Sequence, residues 1–509
     1  MFEAAELGRK IPKDEYKAQV PELRAKLLEA QMALQETKIP VIIVIAGVDG
    51  AGRGEVINLL HEWLDPRWLQ AVAFGAPSDE ERERPRYWRF WRSLPARGRI
   101  GVMFGAWYLE PIRCQVEGQT ETSRFEQQLK RIAFFEKMLV DDGALILKFW
   151  LHLSKDGQRK RLKKLEKNPL HSWRASAEAW QNLKKFDEII QVSERAIRVT
   201  DSGASPWILV EATDQRYRDL TVGMTLLEAL NQRLSQDVQS PPPVSSPRIT
   251  LRPQIPTANV TILSHVDLTQ QLDDKEYREQ LPYYQGKLHY LAQQAYDQRR
   301  STVIVFEGSD AGGKGGNIRR MTAAMDARHY QVIPIAAPTD EERAHHYLWR
   351  FWRHIPRSGK VTIYDRSWYG RVLVERVEGF AREIEWSRSY LEINEFEEQL
   401  TDHGVVVIKF WLHIDKDEQL RRFKEREQVA YKQHKITDED WRNREKWDDY
   451  EAAVNDMVAH TSTAYAPWTI IAGNDKKFAR IQALQTVCER LEGALNLNSV
   501  KDEKGKKKK

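Results

Sequence analysis

The sequence predicts two tandem α/β domains, each a parallel sheet covered by helices on both faces. Three observations lead there. The chain of 509 residues repeats itself at a constant offset of 261 positions. Within each repeat, short apolar β-branched runs alternate with helix-length segments. A glycine-rich turn follows the first of those runs in both copies.

The repeat is read from residues that recur in register. Gly308-Ser309-Asp310-Ala311-Gly312-Gly313-Lys314-Gly315 answers Gly47-Val48-Asp49-Gly50-Ala51-Gly52-Arg53-Gly54. Trp349 matches Trp88, Trp368 matches Trp107, Lys409 matches Lys148, and Pro467 matches Pro206. Repeat one runs from about Tyr16 to Leu234 and repeat two from about Tyr277 to Leu495. The domains follow as 1–235 and 261–497, with a linker over 236–260 and a tail over 498–509. The duplication supplies an internal control. Residues kept in both copies read as architecture, and charged residues present in one copy read as function.

The elements follow in order. A helix is predicted over 21–36 and again over 282–298. The first strand is Val41–Ile45 or Thr302–Phe306. Further strands are predicted over 71–74 and 332–337, 99–104 and 360–364, 144–151 and 405–412, and 207–211 and 468–472. Such continuous apolar strands belong to sheets buried on both faces, which gives two three-layer domains. The linker holds Pro241, Pro242, Pro243, Pro247, Pro253 and Pro256, so it is extended and semi-rigid.

Composition narrows the class. Hydrophobic residues make up 41% and charged residues 30%, as in soluble globular proteins. No apolar run is long enough to span a membrane. The first residues, MFEAAELGRK, lack the apolar stretch of a signal peptide. The two cysteines, Cys114 and Cys488, are not at equivalent positions, so no disulfide framework is expected and a cytoplasmic protein fits. The net charge of +5 is concentrated in the lysine tail over 501–509. The folded part is near neutral, which argues against nucleic acid as a partner.

In repeat two the loop has phosphate-binding spacing, with its final hydroxyl residue replaced by Gly315. Gly308, Gly312, Gly313, Gly315 and Gly316 let backbone N–H groups converge on a phosphate, and Lys314 adds a point charge. The missing hydroxyl normally helps to hold Mg²⁺, and Asp310 is the candidate to replace it. Repeat one has Arg53 for Lys314 and Glu55 for Gly316, and an acid there competes with phosphate for the helix's positive end.

A second acid, Asp365, ends the buried strand over 360–364 and is followed by Arg366 and Arg371. A carboxylate there suits a second metal contact, and guanidinium forks suit phosphate oxygens. Repeat one has Phe104, Gly105 and Glu110 at these positions, while Trp107 and Tyr108 remain. The aromatics therefore read as packing. Trp349 and Trp352 read the same way, and His345, His346 and His354 as structural or surface residues.

Four motifs of repeat two resemble the second family of polyphosphate kinases. They are the loop Gly308–Gly315, Leu348–Arg353, Asp365–Tyr369 and Val374–Gly379. The resemblance spans both repeats. It implies a P-loop kinase fold with a helical lid, Mg²⁺ dependence and inorganic polyphosphate as phosphoryl donor. It further implies Asp310 and Asp365 as metal-linked acids, Lys314, Arg366 and Arg371 on the phosphates, and Glu375 in the active site.

The segment over 417–441 carries Arg421, Arg422, Lys424, Arg426, Lys432 and Lys435 and is the expected lid, with Lys424, Arg426 and Lys435 as phosphate contacts. Repeat one is also basic there, so basicity does not separate the copies.

With the duplication, the resemblance implies transfer of a terminal phosphoryl group from polyphosphate to AMP, giving ADP. A nucleoside diphosphate acceptor, ATP as donor, and a non-enzymatic polyphosphate-binding scaffold remain as alternatives. Homodimerisation is left open.

Overall fold

The structure is a computed structural model and describes residues 1–170, 172–239, 261–429 and 438–495. Most of the predicted linker, the tail and Lys435 lie outside the described residues.

The chain divides into two compact units. Unit 1 comprises residues 1–77, the described part of 89–249, and 339–346. Its strands are β1 (Val41–Gly47), β2 (Leu69–Ala73), β3 (Ile100–Phe104), β4 (Leu145–His152) and β5 (Trp207–Glu211). They form one parallel sheet in the order β2-β3-β1-β4-β5.

Unit 2 comprises residues 78–88 and the described parts of 250–338 and 347–509. Its strands are β6 (Thr302–Gly308), β7 (Tyr330–Pro334), β8 (Val361–Asp365), β9 (Val406–His413) and β10 (Trp468–Ala472). The order β7-β8-β6-β9-β10 is again parallel, and Phe306 pairs with Asp365 as Ile45 pairs with Phe104. The 261-residue repeat is therefore a repeat of register.

Two sequence expectations shift for identifiable reasons. The edge strands begin two residues early, because Gln70 and Gln331 break the apolar run on the solvated edge. The first helix of each repeat begins well before its proline, at Lys13 and Asp274. In unit 2 a capping box of Asp273 and Glu276 sets that start, and Pro282 is carried inside the helix.

The central strands are buried on both faces, and one charge sits among them. Lys409 on β9 is 0% exposed, as is Glu397 on the helix Glu383–Asp402. Lys409 Nζ donates to Glu397 Oε2 at 2.7 Å, to Tyr369 Oη at 2.8 Å and to the Thr461 carbonyl at 2.8 Å. Glu397 Oε1 accepts from Tyr369 Oη at 2.7 Å and from Trp368 Nε1 at 3.1 Å. Unit 1 repeats the arrangement with Lys148, Glu136, Tyr108, Trp107 and Thr200. The aromatics read from sequence as packing are thus also hydrogen-bonded. Trp349 and Trp352 are buried, Trp352 edge-on to Phe396.

Removing one partner of a buried pair leaves an uncompensated charge, at a cost of about 3–5 kcal/mol. Lys409→Met is expected to lower the stability of unit 2 by that amount in urea unfolding, and Lys148→Met that of unit 1.

Residues 78–88 tie into unit 2 through Arg84 Nε to the Ile355 carbonyl at 3.0 Å and the Arg357–Glu83 ion pair at 2.5 Å. A fragment beginning at residue 260 lacks them. Its calorimetric melting temperature is expected to fall below that of unit 2 in the intact chain.

Candidate active site

The site of unit 2 is built at the carboxyl ends of β6, β8 and β9, where ligands of open parallel sheets bind. Gly308 ends β6 at φ 151°, and a Cβ there would lie 2.7 Å from the Leu412 carbonyl. Gly313, at φ 103°, caps the helix Lys314–Thr322 with no side-chain cap. Gly315 leaves open space over the first turn of that helix, and a Cβ at Gly316 would lie 3.8 Å from the Arg480 guanidinium. The loop therefore presents bare backbone N–H groups at a helix N-terminus, the geometry that binds phosphate.

Lys314 Nζ donates to the Gly308 carbonyl at 2.6 Å and the Ser309 carbonyl at 3.3 Å. Burial and the nearby Arg366 guanidinium hold its ammonium below the ordinary lysine range. Asp310 Oδ1 accepts from Arg366 at 3.1 Å and Oδ2 from Asn443 Nδ2 at 2.9 Å. Asp365 ends β8 beside Phe306. Arg366 is held at φ 65°, a left-handed conformation that costs a non-glycine residue on the order of 1–2 kcal/mol.

Arg371 and Glu375 pair with each other at 2.9 Å, and Arg371 lies over the Tyr347 ring at 4.5 Å. Neither lines the cavity beside the loop. On the lid helix Lys416–Gln428, Lys424 is exposed and Arg426 is half-buried. Arg422 is 2% exposed and donates to the carbonyls of Ala311 at 2.9 Å and Gly473 at 2.6 Å, so it fastens the lid's base to the loop.

Next to the loop is a cavity whose walls are Leu263, Leu373, Val374, Trp411, Trp447, Tyr450 and Val454. Glu307, Asp310, Arg366 and Asn443 form its polar side. Trp411 Nε1 and His413 Nδ1 are buried there without a protein partner, as are Trp150 Nε1 and His152 Nδ1 in unit 1. Of these residues Glu307, Asn443 and the aromatic walls escaped the sequence reading. Glu307 was findable, since its counterpart is Ala46. Asn443 was not, because Asn182 does the same for Asp49 at 2.8 Å.

Among the described residues no three His, Cys, Asp or Glu side chains converge on a metal position. Two carboxylates, Asp310 and Asp365, flank the loop, and this suits Mg²⁺, which takes one or two carboxylates with phosphate oxygens and water.

Unit 1 shows what a closed copy looks like. Arg53 pairs with Asp49 and lies 5.2 Å from the centre of the Phe104 ring, which replaces Asp365. Glu55 sits among Arg161 at 2.7 Å, Arg218 at 2.9 Å and Arg174 at 3.2 Å. The acid thus ties up three guanidinium groups as well as standing at the helix start. Phe2, the counterpart of Leu263, stacks on His152 at 4.8 Å and packs on Trp150 at 5.5 Å. Leu109 replaces Gly370.

Known proteins resemble this chain over nearly its whole length. The chain is 51% identical to a polyphosphate:AMP phosphotransferase of Pseudomonas aeruginosa, covering 97% of this chain and 99% of that protein. It is 38% identical to one from Acinetobacter johnsonii, over 92% and 96% of the two chains. A crystal structure assigned to polyphosphate kinase 2 from Pseudomonas aeruginosa PA01 superposes with a TM-score of 0.87 at 49% identity, covering 97% of this chain and 99% of that one. The polyphosphate kinase 2 family profile matches residues 10–238 and 271–498, so the chain belongs to the polyphosphate kinase 2 family.

Proposed function

We propose that unit 2 transfers the terminal phosphoryl group of inorganic polyphosphate to AMP, forming ADP, and that unit 1 is a degenerate copy. The observation that carries this is the co-occurrence of Lys314, Asp310, Asp365 and Arg366 around one open phosphate loop, against their self-neutralised or missing counterparts in unit 1. The acceptor AMP follows the full-length relatives, which are polyphosphate:AMP phosphotransferases.

In this reading an oxygen of the AMP phosphate attacks the terminal phosphorus. The bond from that phosphorus to the rest of the chain breaks, and the shortened polyphosphate leaves as an anion. The attacking group is already an anion at neutral pH, so no strong base is required. Catalysis rests on positioning and on cations around the transferred group. Lys314 and the loop backbone hold the donor, and Arg366 faces the transferred group. Arg371, paired with Glu375, serves at the periphery. Asp310 and Asp365 would hold Mg²⁺, which neutralises phosphate charge when bound. Lys424 and Arg426 extend the cationic track along the polyphosphate.

The aromatic cavity fits the nucleoside of AMP, with flat rings for a base and a polar side facing the loop. The lid keeps water from the transferred group. A cytoplasmic location accords with the unpaired Cys114 and Cys488.

ADP formation from AMP and polyphosphate, with and without Mg²⁺, tests the reading; a preference for ADP, GDP or ATP in the same assay would overturn it. Asp365→Asn is expected to lower kcat by about 10²–10³-fold with the melting temperature unchanged.

Lys314→Ala is expected to lose about 10²–10³-fold in rate, whereas Arg53→Ala leaves it unchanged. Equal losses would mean that both copies turn over. Lys314 acts while protonated and its pKa lies below that of free lysine. As pH rises, kcat/KM for polyphosphate should therefore fall before the ordinary lysine range is reached. The residual activity of Lys314→Arg should lack that alkaline limb.

A further inference from the structure

Unit 2 contains a buried polar pair that unit 1 lacks as a pair. Glu307 is 5% exposed and Ser367 is 2% exposed. Ser367 Oγ donates to Glu307 Oε1 at 2.8 Å and accepts from the Tyr369 N–H at 3.3 Å. Their counterparts are Ala46 and Ala106.

The residue just before Ser367 is the left-handed Arg366, at φ 65°, and its counterpart is Gly105 at φ 80°. Where the left-handed position carries a side chain, the pair is present. Where it is glycine, the pair is gone. The turn changes with it: Ser367 is extended at φ −154°, while Ala106 lies at φ 30°.

A non-glycine residue stays in that region only when its surroundings hold it there. On one side Arg366 N donates to the Phe306 carbonyl at 3.0 Å. On the other, the next residue is fixed through its hydroxyl to a carboxyl on β6. Burial raises the Glu307 carboxyl above its usual range, which lessens its pull on the surrounding cations.

We propose that Glu307 and Ser367 form a clamp that holds Arg366 left-handed and aims its guanidinium at the transferred phosphoryl group. Glu307 is a positioning residue acting through Ser367. The inference rests on the phosphoryl-transfer reading of the site.

The test is steady-state ADP formation by the full chain carrying Ser367→Ala, Glu307→Ala, both together, or Glu307→Gln. Each alanine variant should lower kcat by about 10–100-fold, as a misplaced catalytic group does, with KM for AMP little changed. The double variant should be no slower than the slower single one, since both remove one device. Glu307→Gln keeps an acceptor for Ser367 Oγ and should recover about tenfold over Glu307→Ala.

A wild-type rate in Ser367→Ala overturns the clamp. So does Glu307→Gln as slow as Glu307→Ala, which would assign the role to the carboxylate's charge. If Glu307→Ala does not melt cooperatively, Ser367→Ala decides alone. If the unaltered chain forms no ADP, the functional reading fails by itself. The clamp is then judged from a crystal structure of Ser367→Ala: Arg366 leaving positive φ supports it, and an unchanged turn overturns it.

Discussion

An ammonium group on an interior strand must be satisfied on every side or the sheet will not close around it. Lys409 meets this demand with a carboxylate, a phenol and a carbonyl from three separate elements. Because Tyr369 and Trp368 bond the same carboxylate, the turn that begins at Asp365 is anchored at its far end. Asp365 and Arg366 therefore project from a turn pinned between β8 and the core. The duplicate around Lys148 holds an equally well-packed turn that presents no acid or guanidinium. The network is thus indifferent to chemistry, and what it supplies is a place where chemistry can be mounted.

The contrast between the units isolates what a phosphate loop needs beyond its backbone. Both loops have a left-handed glycine before the helix, Gly52 and Gly313. In unit 1 the cation answers its own loop's Asp49, and an acid gathers three arginines. In unit 2 the corresponding lysine is held by backbone carbonyls, weaker partners that a phosphate can displace. Availability of charge, more than its quantity, separates the two.

Much of this was legible in the sequence. Strand positions follow from apolar runs to within a residue or two in the inner strands, and the edge strands start two residues early where Gln70 and Gln331 interrupt the run. Lys314, Asp365 and Arg366 stand out because a second copy serves as control, whereas Asp310, which recurs as Asp49, follows from the hydroxyl missing from its loop. The same comparison exposes Glu307 against Ala46, a difference passed over because a glutamate inside an apolar strand carries no motif. Trp447 and Tyr450 of the cavity also differ between the copies, standing opposite Phe186 and Ile189, but Asn443, Trp411 and His413 could not be found this way. They come from helices and strand ends far apart in the chain, and Asn443, Trp411 and His413 recur in unit 1 as Asn182, Trp150 and His152.

The left-handed position has a consequence for sequence change over time. To rebuild the missing turn in unit 1, Gly105 must become arginine at φ 80°, where an added Cβ would meet the Phe74 carbonyl at 3.0 Å. Without a serine at 106 and a glutamate at 46, that arginine would keep only the backbone bond to the Ile45 carbonyl, at 3.5 Å. A glutamate installed first at 46 would have no hydroxyl from residue 106 to meet it. On the proposed clamp, arginine at 105 and glutamate at 46 each gain from the serine, so the three changes are favoured together more than singly. On the reading proposed above, the way from the first copy back to such a turn needs these changes together.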